Sequence, residues 1–315
     1  ENRSFLVGQN IEELESVLEN SGSFTFEASI SASKISSNFS RAEYIKAIES
    51  IRERIRCGDT YQTNLTQQFK AHLDKDVTPQ LIFERLRNSH PAPFSAFISR
   101  GEDHVVSISP ERFFCVRDSI ISASRIKGTR PRGKNSRDDK KLRRELNESE
   151  KDRAENLMIV DLLRNDIGRI SEFGTVAVEK LCELEEHPSL FHLVSTIRGK
   201  LRGGVDVGAI IKATFPCGSI TGAPKIQTMR IIDEIETANR GLSMGAIGYF
   251  SSGSEFGFAN SLDLSVAIRT MVVRDNKAVF NVGGGIVYDS DPIAEYEEWL
   301  LKAKALFAAL NSDFS

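Results

Sequence analysis

The sequence predicts an α+β fold with large antiparallel sheets. Strand-like segments come in runs that helices interrupt, and strand and helix do not alternate strictly along the chain. That order favours α+β over a doubly wound fold, in which a crossover helix follows each parallel strand. The 315 residues suffice for one large domain or two small ones, and no linker rich in glycine or proline divides them.

The first half opens with a weakly patterned segment, residues 1–39, that contains one helical stretch at Ile11–Leu18. A clear helix follows, because Ser40-Arg41-Ala42-Glu43 has the capping-box pattern and Cys57-Gly58 provides a stop. Thr78-Pro79 opens a shorter helix that runs to Leu86. The strands predicted in this half are Tyr61–Leu73, Ser95–Ser99, His104–Ser109, Arg112–Val116 and Ser119–Ser124.

The second half contains four further helices between its strands. Their predicted ranges are Ser149–Ile170, Asp206–Thr214, Pro224–Ala238 and Asp291–Leu310. The predicted strands are Thr175–Leu181, Leu190–Gly199, Gly245–Ser251, Leu264–Arg274 and Ala278–Val282. The last two strands are expected to form a hairpin over Asp275-Asn276.

Composition argues against several classes of protein. A net charge of −3 is too small to indicate a nucleic-acid or membrane-surface partner. The sequence has neither an apolar run long enough to cross a membrane nor a signal-peptide layout at its start. The basic stretch at 125–144 is balanced by an acidic one at 145–155 and reads as a solvated segment. Four scattered cysteines without a CxxC pair favour a reducing cytoplasm over a zinc site or disulfides: Cys57, Cys115, Cys182 and Cys217.

Lys127 is the most informative single residue. It follows the strand-like run at Ser119–Ser124 and precedes Gly128, which allows a ligand to approach the backbone closely. A solvated lysine has a pKa near ~10.4, so a nucleophilic lysine must be buried or lie beside another cation. Arg125 and Arg130 flank it and could act in this way. The alternative is an ordinary surface lysine in a basic loop.

Two pairs of carboxylates lie at the starts of two predicted helices. Asp152 and Glu155 are three residues apart, as are Glu295 and Glu298, so each pair shares one helix face. Acidic residues in a first turn also complement the helix dipole, which is the structural alternative. A few oxygen ligands completed by water or substrate oxygens suit Mg²⁺ better than zinc.

Two glycine-rich segments and an arginine indicate an anionic ligand. Residues 217–225 run directly into a helix, and helix N-termini bind anions through free N–H groups, although the spacing is not that of a P-loop. Gly283-Gly284-Gly285 suggests either a bulge or a close approach to a ligand. Arg269 is predicted on a strand between apolar residues, where a guanidinium needs a fixed anionic partner.

These segments together resemble the chorismate-utilising enzymes, in unbroken order from about residue 40 to residue 310. The motifs are Ser109-Pro110-Glu111-Arg112-Phe113, Ile126-Lys127-Gly128-Thr129, Asp152-Arg153-Ala154-Glu155-Asn156, Asp161-Leu162-Leu163-Arg164-Asn165-Asp166, Gly218-Ser219-Ile220-Thr221-Gly222-Ala223-Pro224-Lys225, Ala267-Ile268-Arg269-Thr270 and Gly283-Gly284-Gly285-Ile286-Val287. The resemblance implies two large antiparallel sheets packed together with helices outside. It also implies a chorismate-binding catalytic domain at 40–315 and an N-terminal segment, 1–39, that is reduced relative to the family, so that tryptophan binding, which some members show, is not expected here.

Two positions place the sequence within the family. The isochorismate and salicylate synthases carry a lysine base where this chain has Gln62, and the anthranilate synthases carry alanine where it has Lys127. Lysine at that place is typical of the aminodeoxychorismate synthases. The sequence departs from the family pattern at Arg125, where proline is usual, and at Cys217, where glycine is usual.

The resemblance implies an Mg²⁺-dependent amination of chorismate to 4-amino-4-deoxychorismate. Lys127 would be the nucleophile and Glu111 the general acid and base. Glu155 and Glu298 would bind Mg²⁺ directly, with Asp152 and Glu295 acting through water. The substrate would be held by Thr129, His192, Thr221, Gly222, Tyr249, Arg269, Gly284, Gly285 and Lys302.

The family also implies a partner. None of the cysteines lies in a GxCxG elbow, so a separate glutaminase subunit of the class I amidotransferase type is expected to supply ammonia. Two other functions stay open from the sequence. One is anthranilate synthase component I, which would release pyruvate; the other is an inactive, anion-binding regulatory subunit, in which a complete set of metal carboxylates, Lys127 and Glu111 would be unexpected.

Overall fold

A computed structural model describes residues 6, 10–21, 35–187, 190–251 and 261–311. In these residues two antiparallel sheets carry the core, and helices pack against them. The α+β fold predicted from the order of the elements is therefore confirmed. Most of the predicted N-terminal segment, 1–39, lies outside the described residues, and its helix is found at Ile11–Asn20 (α1).

The first sheet has the order β1-β2-β13-β12-β4-β3, and β9 also pairs with β2. Its longest ladder joins β2 to β13, with Gly284 opposite Leu65 and Gly285 opposite Asn64. Its strands are β1 (Ser36–Ser37), β2 (Gln62–His72), β3 (Phe94–Ser99), β4 (His104–Ser109), β9 (Gly222–Ala223), β12 (Thr270–Arg274) and β13 (Lys277–Ile286).

The second sheet has the order β10-β11-β5-β6-β8-β7. At its centre β6 pairs with β8, and this ladder shifts register between Lys127 and Thr129. Its strands are β5 (Arg112–Arg117), β6 (Ile120–Pro131), β7 (Ala177–Glu186), β8 (Leu190–Lys200), β10 (Ala246–Ser251) and β11 (Ser261–Val266). All the strand pairs of both sheets are antiparallel.

Each sheet is covered by its own helices, which bury apolar side chains against it. The first sheet packs on α2 (Arg41–Arg56), α3 (Pro79–Ser89) and α8 (Pro292–Ala309), whose Trp299 is 1% exposed. The second packs on α5 (Glu150–Gly168) and on α4 (Ser136–Asn147), both of which contact β6 and β8. The other two α-helices of the described residues are α6 (Val207–Thr214), which packs on α5, and α7 (Lys225–Ile235), which contacts β2 and β9.

The structure confirms the N-cap residues predicted for three helices. Ser40 and Glu43 form the predicted capping box of α2, Ser149 caps α5, and Asp291 caps α8. Each cap satisfies N–H groups that a first turn leaves free. These caps fix where α5 and α8 begin, and therefore where the predicted metal carboxylates lie.

The prediction of one continuous strand at Leu264–Arg274 is wrong. The segment forms β11 in the second sheet and β12 in the first, and the chain passes between the sheets at 267–269. Arg269 has φ 48°, a left-handed conformation that a strand interior does not adopt. Apolar periodicity runs through both strands and does not reveal the change of sheet.

Three other predictions need correction. The stretch at 125–144 is not merely a solvated segment, because β6 continues to Pro131 and α4 follows it with Leu146 fully buried. The strand predicted to end at Val282 continues as β13 to Ile286, so Gly283-Gly284-Gly285 lies inside it and forms no bulge. Helix α7 ends at Ile235, before the predicted end at Ala238.

No helix in the described part of the chain combines the length and apolar character that crossing a membrane requires.

Candidate functional site

A cavity of about 930 Å³ lies between the two sheets, at the upper end of the range of about 300–1,000 Å³ common for small-molecule sites. The first sheet contributes Asn64, Asn281 and residues 282–285, and the second contributes residues 125–127, Thr129 and His192. Of the residues predicted for the site, those in the cavity wall are Glu111, Lys127, Thr129, His192, Arg269, Gly284, Gly285 and Lys302.

Lys127 lies in the wall of this cavity and not on an open surface. Its side chain is 23% exposed, and its Nζ donates to Glu155 Oε2 at 2.6 Å. Because Glu155 stands in the second turn of α5, this contact ties the second sheet to that helix. A partly buried ammonium needs such a counter-charge.

The second carboxylate pair lies beside another cavity lysine. Lys302 Nζ is 2.8 Å from Glu298 Oε1. Burial acts to raise the pKa of Glu298, but the charges of Lys302, Lys127 and Lys151 outweigh it and leave the pKa below its usual range. Burial, reinforced by the charge of Glu298, raises the pKa of Glu295. Lys127 pairs with Glu155 on α5 and its charge also lowers the pKa of Glu298 on α8. The starts of these two helices therefore lie in the same region of the site.

The four carboxylates do not form a closed metal cage. Among the described residues, no three His, Cys, Asp or Glu side chains are close enough to hold an ion together. Glu155 and Glu298 each bind a lysine instead, and Glu295 Oε1 accepts from the Ser290 hydroxyl at 2.7 Å. This oxygen-only donor set nevertheless fits Mg²⁺, which commonly takes one or two carboxylates and completes its shell with water and substrate oxygens.

Asp152 is held by the strand that carries Lys127. Arg130 Nη2 is 3.3 Å from Asp152 Oδ2. Gly128 makes this approach possible, because its φ is +76° and a Cβ there would lie 2.8 Å from Leu146 Cδ1 and 3.0 Å from Asp152 Cγ. The glycine next to Lys127 is thus required both by backbone conformation and by packing.

Glu111 has two donors on one oxygen. Its Oε1 accepts from Arg125 Nη1 and, at 3.1 Å, from the Ser219 hydroxyl. Ser219 in turn lies 3.3 Å from Cys217 Sγ. Burial, followed by the charge of Glu111, raises the pKa of the Cys217 thiol. The ion pair of Arg125 is thus with Glu111, whereas the sequence suggested that it could act on Lys127.

Arg269 is a cation without a counter-ion in the described part of the chain. It contributes to the cavity wall, and its side chain makes no ion pair with any described residue. Burial lowers the pKa of Arg269, although the residue as a whole stays open to the solvent of the cavity. A guanidinium in this position is suited to a ligand carboxylate.

Three predicted ligand residues lie elsewhere. Thr221 is buried and donates its hydroxyl to the Cys217 carbonyl, and Gly222 pairs with Thr63 in the first sheet. Tyr249 lies on β10, at the edge of the second sheet, with 48% of its surface exposed. None of the three is in the cavity wall.

Thr129 and His192 form a pair on adjacent strands. The Thr129 hydroxyl and His192 Nδ1 are 2.9 Å apart. Burial, with a contribution from His187, lowers the pKa of His192. The ring is therefore held largely uncharged at neutral pH, as a hydrogen-bonding group of the wall.

Sequence reasoning missed several polar residues of the wall: Asn64, Ser219 and Asn281. Asn64 and Asn281 are at most 6% exposed, and each has a side-chain oxygen without a partner in the described residues. Strand alternation was the available signal, since polar residues at every second position of Gln62–His72 mark one face.

The site combines cations for an anionic ligand with an amine and a carboxylate for chemistry. Arg269 and Lys302 provide positive charge in the wall, while Lys127 and Glu111 can act on a molecule bound between the sheets. Such an arrangement suits a small organic acid that undergoes nucleophilic substitution.

Comparisons with known proteins point to one family. The family model described as chorismate binding enzyme matches residues 6–308. The chain is 43% identical over 275 residues to aminodeoxychorismate synthase from Streptomyces griseus, covering 87% of this chain and 37% of that protein. It is also 43% identical over 275 residues to aminodeoxychorismate synthase component 1 from Klebsiella aerogenes, covering 87% and 59% respectively.

A solved structure gives a similar result. Anthranilate synthase component I from Streptococcus pneumoniae TIGR4 superposes with a TM-score of 0.81 and 35% identity, covering 93% of this chain and 64% of that one. The chain spans only 37% and 59% of the two curated relatives.

The packing at Gly128 leads to a prediction. Gly128→Ala should lower the free energy of unfolding by about 1–3 kcal/mol more than Gly174→Ala, because overpacking adds to the backbone strain. Gly174 is the matched control, since its φ is +77° and no atom lies within 4 Å of an added Cβ. Urea unfolding measures both, and equal losses would contradict the packing of Gly128 against Asp152.

Proposed function

Because this chain belongs to the family of chorismate-binding enzymes, we propose that it aminates chorismate to 4-amino-4-deoxychorismate. The observation that carries the proposal is the position of Lys127. It lies in the wall of the ligand cavity with less than a quarter of its side chain exposed. A primary amine that faces a bound substrate can act as a nucleophile.

The charges of the cavity suit chorismate, which carries two carboxylates. Arg269, which pairs with no described acid, is the natural partner of one of them, and Lys302 provides a second cation. Gly284 has no side chain, so a ligand can approach the backbone beside Lys302. We assign the substrate-binding role to these residues together with Thr129, His192 and Gly285. Thr221, Gly222 and Tyr249, which are outside the cavity wall, have weaker support.

Mg²⁺ is the proposed cofactor, held by Glu155 and Glu298 directly and by Asp152 and Glu295 through water. When bound, it would supply positive charge to a substrate carboxylate. A cation that binds Glu155 competes with Lys127 for the same carboxylate, and one that binds Glu298 competes with Lys302. A cation bound at Glu155 would therefore release Lys127 Nζ from its ion pair and leave it free to approach the substrate.

The proposed chemistry proceeds in two substitutions. Lys127 Nζ forms a bond to ring carbon C2 while the C4–O bond breaks, and Glu111 gives a proton to the departing hydroxyl, which leaves as water. Ammonia then bonds to C4, the bond between C2 and Lys127 breaks, and Glu111 takes back a proton from the new amine. The net change is the exchange of the C4 hydroxyl for an amino group.

The ammonia is proposed to come from a separate glutaminase subunit. A relative of this chain is named as component 1 of its enzyme, which supports a second component. We further propose a role in para-aminobenzoate and folate biosynthesis, in the cytoplasm. Free ammonia should replace the partner in vitro.

The product of the reaction tests the proposed function directly. Incubation with chorismate, Mg²⁺ and ammonia should give a nonaromatic amino product without release of pyruvate, measured by mass spectrometry and a pyruvate assay. Release of pyruvate with a fluorescent aromatic product would favour anthranilate synthesis instead. That second function is kept because an anthranilate synthase component is 35% identical to this chain.

Lys127→Ala should reduce amination by more than about 10³-fold, because the covalent nucleophile is removed. Lys134→Ala is the control, since Lys134 is exposed on the segment after the same strand. Circular dichroism checks that both variants fold. Near-normal amination by folded Lys127→Ala would rule out the covalent step.

Glu298→Gln and Glu155→Gln should each abolish saturable binding of Mg²⁺, measured by calorimetry, together with activation by Mg²⁺. Glu297→Gln is the control, because Glu297 is an exposed neighbour on α8. Either variant that still binds Mg²⁺ as the wild type does would refute its assignment as a ligand.

A further inference from the structure

Arg125 is a buried cation with a single acidic partner in the described chain. The residue is 8% exposed, and its one ion pair is with Glu111. Its Nε is buried and has no partner among the described residues. A guanidinium removed from water is strongly destabilising without a counter-charge, so Arg125 and Glu111 depend on each other.

The donors on Glu111 are distributed unevenly. Arg125 and Ser219 both donate to Oε1. Within the described residues Oε2 accepts no hydrogen bond, and it is not among the buried atoms that lack a partner. Glu111 is part of the cavity wall, so Oε2 is the oxygen left available to a ligand.

The hydroxyl of Ser219 has only one proton to give. Since that proton is directed to Glu111, the neighbouring Cys217 thiol is the donor in its contact with Ser219. Burial raises the pKa of Cys217, which keeps the thiol protonated for this purpose. Cys217, Ser219 and Arg125 are at most 8% exposed, so they form a fixed support for the carboxylate.

We propose that Arg125 is the positioning residue for Glu111: it holds Oε1 together with Ser219, so that Oε2 exchanges the proton with the bound molecule. This inference rests on the proposed role of Glu111 in amination. Arg125 acts through Glu111 and does not itself contact the reacting atoms. The carboxylate is thereby kept in one orientation before the substrate arrives, which is the kind of preorganisation that acid–base catalysis requires.

Steady-state kinetics with chorismate and free ammonia provides the test. Arg125→Met should lower kcat by about 10- to 100-fold, because a misplaced catalytic group is costly, while KM for chorismate changes less than about twofold, as expected when only transition-state stabilisation is lost. Arg125→Lys should restore part of the lost kcat, because it returns a charged donor. Arg112→Met is the matched control, since it removes a guanidinium paired with Asp263 on the neighbouring strand, outside the cavity wall.

Two kinetic results would overturn the proposal. If Arg125→Met leaves kcat at the level of the Arg112→Met control, Glu111 does not need Arg125. If KM rises while kcat is unchanged, Arg125 binds the substrate itself.

A second measurement does not depend on the reaction. Arg125→Met should lower the thermal midpoint, and adding Glu111→Gln should recover part of the loss, because the amide removes the unpaired charge. Absence of recovery would overturn the pairing. If the wild type fails to aminate chorismate, the proposed function fails, and this double-mutant cycle still decides whether Arg125 supports Glu111. Should Arg125→Met not fold, Arg125→Lys and the double variant carry the comparison.

Discussion

The contact between Lys127 and Glu155 governs the electrostatics of the site. It joins the central strand β6 to the second turn of α5, and both side chains are mostly removed from water. Each charge offsets the desolvation penalty of the other, since an unpaired charge of either sign would be strongly destabilising in this position. The same carboxylate cannot fully serve two cations. Any cation bound at Glu155 therefore weakens the hold on Lys127, so that cation binding and the reactivity of the amine are physically coupled under the proposed function.

A second constraint comes from the way the chain connects the sheets. Strands β11 and β12 follow each other in sequence but belong to different sheets. The connecting residues therefore cross the space between the sheets, and Arg269 lies at the crossing with a left-handed backbone. The Arg269 carbonyl accepts from Ile108 N at 3.1 Å, which anchors the crossing to β4. The fold thus places a cation in the cavity wall without requiring an acidic side chain beside it.

The sequence predicted the helices with strong caps and most strands to within a few residues, because caps and alternation are local signals. It did not predict α4, since that helix is highly polar and buries only Leu146. It treated residues 264–274 as one strand because alternation does not depend on which sheet a strand joins. The ion pairs of Glu155 with Lys127 and of Glu298 with Lys302 could not be predicted either, because they depend on how α5 and α8 pack. The roles of the site residues, the Mg²⁺ and the glutaminase partner remain predictions.

The two departures from the family pattern, Arg125 and Cys217, are both connected to Glu111. The sequence marks both as unusual for the family, in segments more than ninety residues apart. In the fold both reach the same carboxylate, Arg125 directly and Cys217 through Ser219. Arg125 places a positive charge against the Glu111 carboxylate, and a thiol that donates to Ser219 leaves the serine hydroxyl free to donate to the same carboxylate. The two changes therefore act in the same direction, which is why they are better understood as one support for Glu111 than as two separate irregularities.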